Sequence, residues 1–150
     1  MRGHRRGEVS RKTKETEVII KIDLDGTGKH GIETGIPFFD HMIRLLAYHA
    51  GLDLTLKAKG DIEVDSHHTV EDIGICLGEG LRKALGTSKG ISRYGMALTP
   101  RDEALASIAL DLSMRPCLVY HVPWRRTRIG VFDLELVEEF FRALCNHGGI

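Results

Sequence analysis

The chain repeats itself. Ile20 to Leu24 (Ile-Lys-Ile-Asp-Leu) matches Ile108 to Leu112 (Ile-Ala-Leu-Asp-Leu), and Phe38 to Leu52 matches Leu136 to Ile150, sharing Arg44/Arg142, Leu46/Leu144, His49/His147 and Gly51/Gly149. The matches keep the same order, fall on the same kinds of element and end at the same glycine stop, which reads as a duplicated half-domain. Each half must therefore bring strands and an amphipathic helix to one core, an α+β arrangement. The divisions that follow are a mobile basic arm over 1–7, a first half over 8–90 and a second half over 91–150. The second copy reaches only the residue aligned to Leu52. The counterparts of the next strand and helix are not there, so the repeat predicts a C-terminally truncated chain with an incomplete second half. By symmetry the missing piece should hold a second histidine pair with a glutamate.

Hydrophobic periodicity fills in the elements. Val18, Ile20, Ile22 and Leu24 fall at every second position, the period of a strand. Pro37 suits a first helical turn, and Phe38, Met42, Leu45, Leu46 and His49 recur at helical spacing, so Pro37 to His49 reads as a helix stopped by Gly51. Leu52, Leu54, Leu56 and Ala58 alternate with polar residues in a half-buried strand, and Ile62 to Val64 reads as a short extended piece. Val70, Ile73, Leu77, Leu81, Ala84 and Leu85 then step along a helix that closes at Gly86. Gly74, Gly78 and Gly80 lie inside it, each costing about 1 kcal/mol relative to alanine. Gly74 and Gly78 share a ridge, which predicts close approach of another backbone. In the second copy, Gly90 to Pro100 reads as an extended connector, Ala104 to Leu112 and Pro116 to Val122 as strands, and Leu134 to Cys145 as a helix with Val137, Phe140, Phe141 and Leu144 inward.

Composition removes several classes of function. The formal net charge is zero with histidines neutral, so no global field points to nucleic acid. No apolar run approaches the roughly 18 residues of a membrane span, and the N-terminus has no apolar secretory core. Cys76, Cys117 and Cys145 are unclustered and flanked by apolar residues, as expected of buried thiols in a reducing, cytoplasmic setting.

Eight histidines are many for 150 residues, and two of them are adjacent in Asp65-Ser66-His67-His68-Thr69-Val70-Glu71-Asp72. On a helix His67 and Glu71 are one turn apart on one face, while His68 points about 100° away. One helix start then offers imidazole plus carboxylate in one direction and a second imidazole in another, which can feed two neighbouring divalent ions. The plainer alternative is a polar helix start, with Ser66 as cap and Glu71 and Asp72 favourable to the helix dipole. Two other stretches carry chemistry in outline. Asp23-Leu24-Asp25-Gly26-Thr27 resembles the first motif of haloacid-dehalogenase-type phosphohydrolases, with Asp23 as nucleophile, although the repeated βα pattern of those enzymes is missing. A tight glycine turn flanked by solvated aspartates is the simpler account. Arg125, Arg126 and Arg128 follow Trp124 in a basic loop.

Taken together, Gly35-Ile36-Pro37-Phe38-Phe39-Asp40-His41-Met42, the histidine motif, Asp102-Glu103-Ala104-Leu105-Ala106 and Asp111-Leu112-Ser113-Met114-Arg115-Pro116 closely resemble imidazoleglycerol-phosphate dehydratases of histidine biosynthesis. The resemblance covers Glu8 to Ile150. It implies two similar β-rich halves, each a sheet with two helices, of the ribosomal-protein-S5-domain-2-like kind, a homo-oligomer of 24 subunits with sites at subunit interfaces, and a small phosphate substrate; from charge and hydropathy, neither nucleic-acid nor membrane partners are expected. It implies two Mn2+ ions per site, acting as Lewis acids and as a template. One would use His41 and His68, the other His67 and Glu71. Arg93 and Arg115 match substrate- or phosphate-contacting arginines, Glu15 matches an acidic residue at the substrate, and Glu15 or Glu71 would move protons. All of Glu15, His41, His67, His68, Glu71, Arg93 and Arg115 would then touch substrate. Asp102 and Glu103 would lie near the site. Met114 stands where the resemblance leads one to expect glycine, and Arg101 where it leads one to expect methionine. A non-catalytic fragment is the remaining alternative.

Overall fold

Strand β2 (Thr16–Asp23) organises the first sheet because alternate residues, Thr16, Val18, Ile20 and Ile22, are buried while those between face out. A computed structural model describes residues 3–150. On one side β2 pairs antiparallel with β1 (Arg6–Lys12), on the other with β4 (Asp53–Gly60), and β3 (His30–Glu33) joins β4 in parallel. The inner face, with Val9, Ile20, Leu54 and Leu56, packs against helix α2 (His67–Leu85). Helix α1 (Pro37–Ala50) closes the sheet's end and stops at Gly51, whose φ of 67° is the left-handed conformation that glycine adopts without strain.

The second part has the antiparallel ribbon β5 (Tyr94–Arg101) and β6 (Ala104–Asp111), a small pair β7 (Arg128–Ile129) and β8 (Phe132–Asp133), and helix α3 (Glu135–Gly148). Gly149, the repeat's counterpart of Gly51, caps α3 in the same left-handed conformation, with φ of 73°. Phe132 is the hinge of an aromatic cluster. It stacks on Phe39 at 5.9 Å and meets Phe38 at 5.2 Å, while Phe39 meets Phe140 edge-on at 5.3 Å. Offset and edge-on pairs of this kind add about 0.5–1.5 kcal/mol each beyond their buried area.

Helix α2 lies between the sheet and α3, and its glycines allow this. A Cβ at Gly74 would fall 2.7 Å from the Phe140 carbonyl oxygen; one at Gly78 would fall 2.6 Å from that of Leu144 and 2.7 Å from the Gly148 nitrogen. The expected backbone approach is thus α3. Gly80 serves the other side, where its carbonyl lies against Gly7 of β1.

Several expectations need correction. Within the span 1–7 the described residues run into the sheet. β1 begins at Arg6, and the Arg5 backbone N–H and guanidinium both reach Asp25, with Nη2 donating to Oδ1 at 2.7 Å. Met1 and Arg2 lie outside the described residues. β1 itself went unread because charged side chains interrupt its alternation. The Ile62–Val64 piece is a turn, closed by Val64 N–H donating to Asp61 O at 2.8 Å. Gly90–Pro100 contains a true strand, β5, whereas Pro116–Val122 is not a strand; among the described residues it has no partner strand. Helix α1 buries Phe39, Ile43 and Ala47, not the Met42 and Leu46 stripe, which is exposed; both stripes are apolar, so periodicity could not choose. In α3, Phe140 is buried but Phe141 is 37% exposed. Cys76 and Cys145 are buried as expected, but Cys117 is exposed. Burial pushes the Cys76 thiol up to about 12.

Two outcomes follow. Gly78→Ala should destabilise the fold by about 1–3 kcal/mol in urea unfolding, despite alanine's better helix propensity, because the new methyl meets backbone. The Asp25 carboxyl is held down at about 2, from the ordinary 3.8, chiefly by the Arg5 side-chain hydrogen bonds. A depressed carboxyl stabilises above its unfolded value and loses that contribution as pH falls through the folded one. A carboxyl 13C titration should therefore show Asp25 with a midpoint of about 2, and Arg5→Ala should return it toward 3.8.

Candidate active site

The head of α2 is built by carboxylates. Ser66 occupies the cap position, but its side chain makes no capping bond. Asp65 does that work, its Oδ1 accepting the His67 backbone N–H at 2.7 Å. Behind it, Thr69 is fully buried, with its hydroxyl against Gly60, where a Cβ would collide with it. That contact seats the end of β4, and hence the 61–64 turn, on the first turn of α2.

The two histidines diverge as expected. Their rings are 6.0 Å apart between centroids and inclined by 79°. His67 Nε2 faces Glu71 Oε2 at 3.6 Å, one turn along, both about half exposed. His68 turns the other way, its Nδ1 lying 3.0 Å from Asp61 Oδ2. This hydrogen bond raises the His68 pKa above 6.5 against the opposing effect of desolvation, with smaller contributions from the charges of Asp61, Glu15 and Asp65.

Glu15 sits in the β1–β2 turn, its backbone N–H donating to Thr13 Oγ1 at 3.2 Å. That turn is clipped to α2. The Thr16 hydroxyl donates to Asp72, and Arg11 Nε donates to Asp72 Oδ1 at 2.8 Å. Asp72 is only 7% exposed, so its charge is held by these two donors. The clip fixes the loop bearing Glu15 against the helix bearing Glu71.

Among the described residues the other candidates make no hydrogen bond or ion pair to this group. His41 is exposed near the start of α1 and makes no hydrogen bond to the histidine pair. Among the described residues no set of three or more His, Cys, Asp and Glu side chains closes into a metal-holding cluster. Within one chain the donors converge only in pairs. Arg93 forms a two-pronged bond to Asp111, at 2.6 and 2.9 Å, and lies over the Tyr94 ring. Arg115 also acts on the Asp111 carboxyl, which Arg93 above all holds low. Among the described residues Arg93 alone bonds that carboxylate. Asp102 and Glu103 form the exposed β5–β6 turn. Arg128 pairs with Asp133, and Arg125 and Arg126 line a groove with Tyr120, Trp124 and Glu138.

The aspartates of the phosphohydrolase reading do not fit that role. Asp23 ends a strand that is antiparallel to both neighbours, and its Oδ2 is taken by Arg6 and His4, each at 2.7 Å. Asp25 is engaged by Arg5. Neither carboxylate is free to act as a nucleophile.

Sequence reading missed Asp61, Asp65 and the Arg11–Thr16–Asp72 clip. Asp65 and Asp72 stand in the histidine motif, but there Ser66 is the expected cap and Asp72 a dipole partner; Asp61 shows only as an acidic residue directly after the glycine that ends β4.

An α+β scaffold that offers imidazole and carboxylate side by side at a helix head has the donor chemistry of an enzyme using first-row divalent ions. Comparison with known proteins makes the class specific. The sequence model of imidazoleglycerol-phosphate dehydratase matches residues 34–150. The imidazoleglycerol-phosphate dehydratase of Syntrophobacter fumaroxidans is 58% identical over 149 residues, 99% of this chain and 76% of that protein. The Syntrophomonas wolfei protein of the same name is 54% identical over all 150 residues and 76% of its own length. The crystal structure of imidazoleglycerol-phosphate dehydratase from Staphylococcus aureus superposes with a TM-score of 0.85 at 37% identity, covering 96% of this chain and 79% of that one. The chain belongs to the imidazoleglycerol-phosphate dehydratase family, a family of metal-dependent hydro-lyases of histidine biosynthesis. Among the described residues no helix is long and apolar enough to cross a membrane.

Met114, beside Arg115, departs from the glycine expected there, and it pays sterically: its φ is 61°. An L side chain in this conformation costs roughly 1–2 kcal/mol. Met114→Gly should stabilise the chain by about 1 kcal/mol in urea unfolding, with part of the gain offset by the freer unfolded state.

Proposed function

We propose that this chain performs the reaction for which its relatives are named, the removal of water from imidazoleglycerol phosphate to give imidazole-acetol phosphate. The observation that carries this reading is the divergence of His67 and His68 at the head of α2, with Glu71 beside the first and Asp61 behind the second. His67 and Glu71 would hold one divalent ion, and His68 with His41 the other, with manganese as the metal. Bound there, such ions supply Lewis-acid polarisation and a template for a heteroaromatic ring. Because the donors converge only in pairs within one chain, the reading includes a homo-oligomer in which neighbouring copies complete each set. It also keeps the division into halves near residue 90.

The chain's own residues would then have the following tasks. The C–H proton to be lost is not activated by a carbonyl, so a carboxylate must stand within hydrogen-bond reach of it. Glu15, on the loop that Thr16 clips to α2, and Glu71 would be the two carboxylates for this task. The departing hydroxyl needs a proton to leave as water, and the carboxylic acid formed when a carboxylate takes the C–H proton can return one. Arg115 and Arg93 would grip the phosphate, whose geometry suits a guanidinium fork. Arg93 would exchange Asp111 for phosphate in doing so, an exchange of one oxyanion for another.

Dehydratase assay of the protein with Mn2+ tests the reading. Turnover should depend on added metal, and His67→Ala should lower kcat/KM on the order of 10²–10³-fold, the several kcal/mol that a Lewis acid contributes. Unchanged turnover in that variant would end the ligand assignment.

A further inference from the structure

His68 has a partner that its role as a metal donor does not itself require. We propose that Asp61 is a positioning residue for His68, taking the Nδ1 proton so that Nε2 is left as the outward-facing lone pair for a divalent ion. This rests on the reading of His68 as a donor and adds how the ring is made ready before any ion arrives.

A neutral imidazole carries one N–H and one lone pair, and the hydrogen bond made by one nitrogen decides which is which. Asp61 Oδ2 lies 3.0 Å from Nδ1, and a carboxylate can only accept. Nδ1 is therefore the protonated nitrogen and Nε2 the free one. The acceptor is also held in place. The Asp61 side chain is 22% exposed against 49% for His68, and its second oxygen, Oδ1, is buried with no hydrogen-bond partner. A carboxylate normally keeps both oxygens hydrated or bonded, so the cost of sequestering Oδ1 marks a group fixed by its surroundings. Those surroundings are the turn closed on the Asp61 carbonyl and the Gly60–Thr69 contact just before it. A partly buried carboxylate behind a half-exposed imidazole is the arrangement in which an outer carboxylate fixes the tautomer of a metal-binding histidine.

His67 has no such support. Its near carboxylate is Glu71, at 3.6 Å, which would be a co-ligand rather than a brace. The two histidines are therefore unequal: His68 is set before binding, and His67 acquires its tautomer with the ion.

The test needs no turnover. In the metal-free protein at alkaline pH, with rings neutral, long-range 1H–15N correlation should show His68 as the Nδ1–H tautomer and Asp61→Ala should move it toward Nε2–H. Asp61→Asn, which keeps an acceptor and the shape of the turn, should retain most of the wild-type pattern. Mn2+ titration followed by electron paramagnetic resonance should show binding weakened about 10- to 100-fold in Asp61→Ala and less in Asp61→Asn. Glu63→Ala, which removes a nearby exposed carboxylate that does not touch His68, should change neither readout. An Nε2–H tautomer in the wild type, or equal Mn2+ affinity in wild type and Asp61→Ala, overturns the proposal. His68→Ala separates the two ideas. If it leaves Mn2+ binding intact, the donor reading fails; if it weakens binding while Asp61→Ala does not, only the role of Asp61 fails.

Discussion

Everything at the candidate site depends on the seating of α2. Its glycines cost helix propensity, about 1 kcal/mol each, and return it as contact: without side chains at Gly74 and Gly78, the α3 backbone comes close enough to bury one side of α2, while the sheet buries another. A helix gripped on two sides has one permitted rotation. That rotation sends Val70, Ile73 and Leu77 inward and leaves His67, His68 and Glu71 half exposed at the end. The donors are displayed because the rest of the helix has no freedom to turn.

Around that fixed helix, acidic side chains do different jobs according to burial. Asp72 is buried and satisfied by Arg11 and Thr16, so it acts as a structural clip. Asp65 is exposed and caps the helix. Asp61 is between these extremes, half sequestered and turned to an imidazole. Glu15 stays exposed and Glu71 about half exposed, as the part proposed for them requires.

The sequence was most legible where a single period dominated. The alternation of Val18, Ile20 and Ile22 and the glycine ridge of α2 both led directly to observed packing. The divergence of His67 and His68 followed from helix geometry alone. Legibility failed where two patterns competed, as in α1, whose Phe39–Ile43–Ala47 stripe and Met42–Leu46 stripe are equally apolar. It also failed where pairing is non-local. β1 is held by partners on β2 that its own charged residues do not advertise, and Pro116 to Val122 has strand composition but no neighbour to bond. The supporting carboxylates were hidden for the same reason: Asp61 meets His68 through a turn, and Arg11 meets Asp72 across 61 positions of chain.

The β5–β6 ribbon sets a different condition on Arg93. Every residue of β5 is exposed, and all but the last of β6, so little apolar burial holds the two strands together. A two-stranded ribbon in water is marginal by itself and belongs to the part of a protein that opens most readily. Arg93 and Asp111 stand at its base, so their bond is made and lost with fraying, whereas His68 rides on the most deeply anchored helix. Two residues proposed for one reaction would thus occupy opposite ends of the molecule's scale of local opening, and the side proposed to hold phosphate would be the one whose order a ligand has most scope to change.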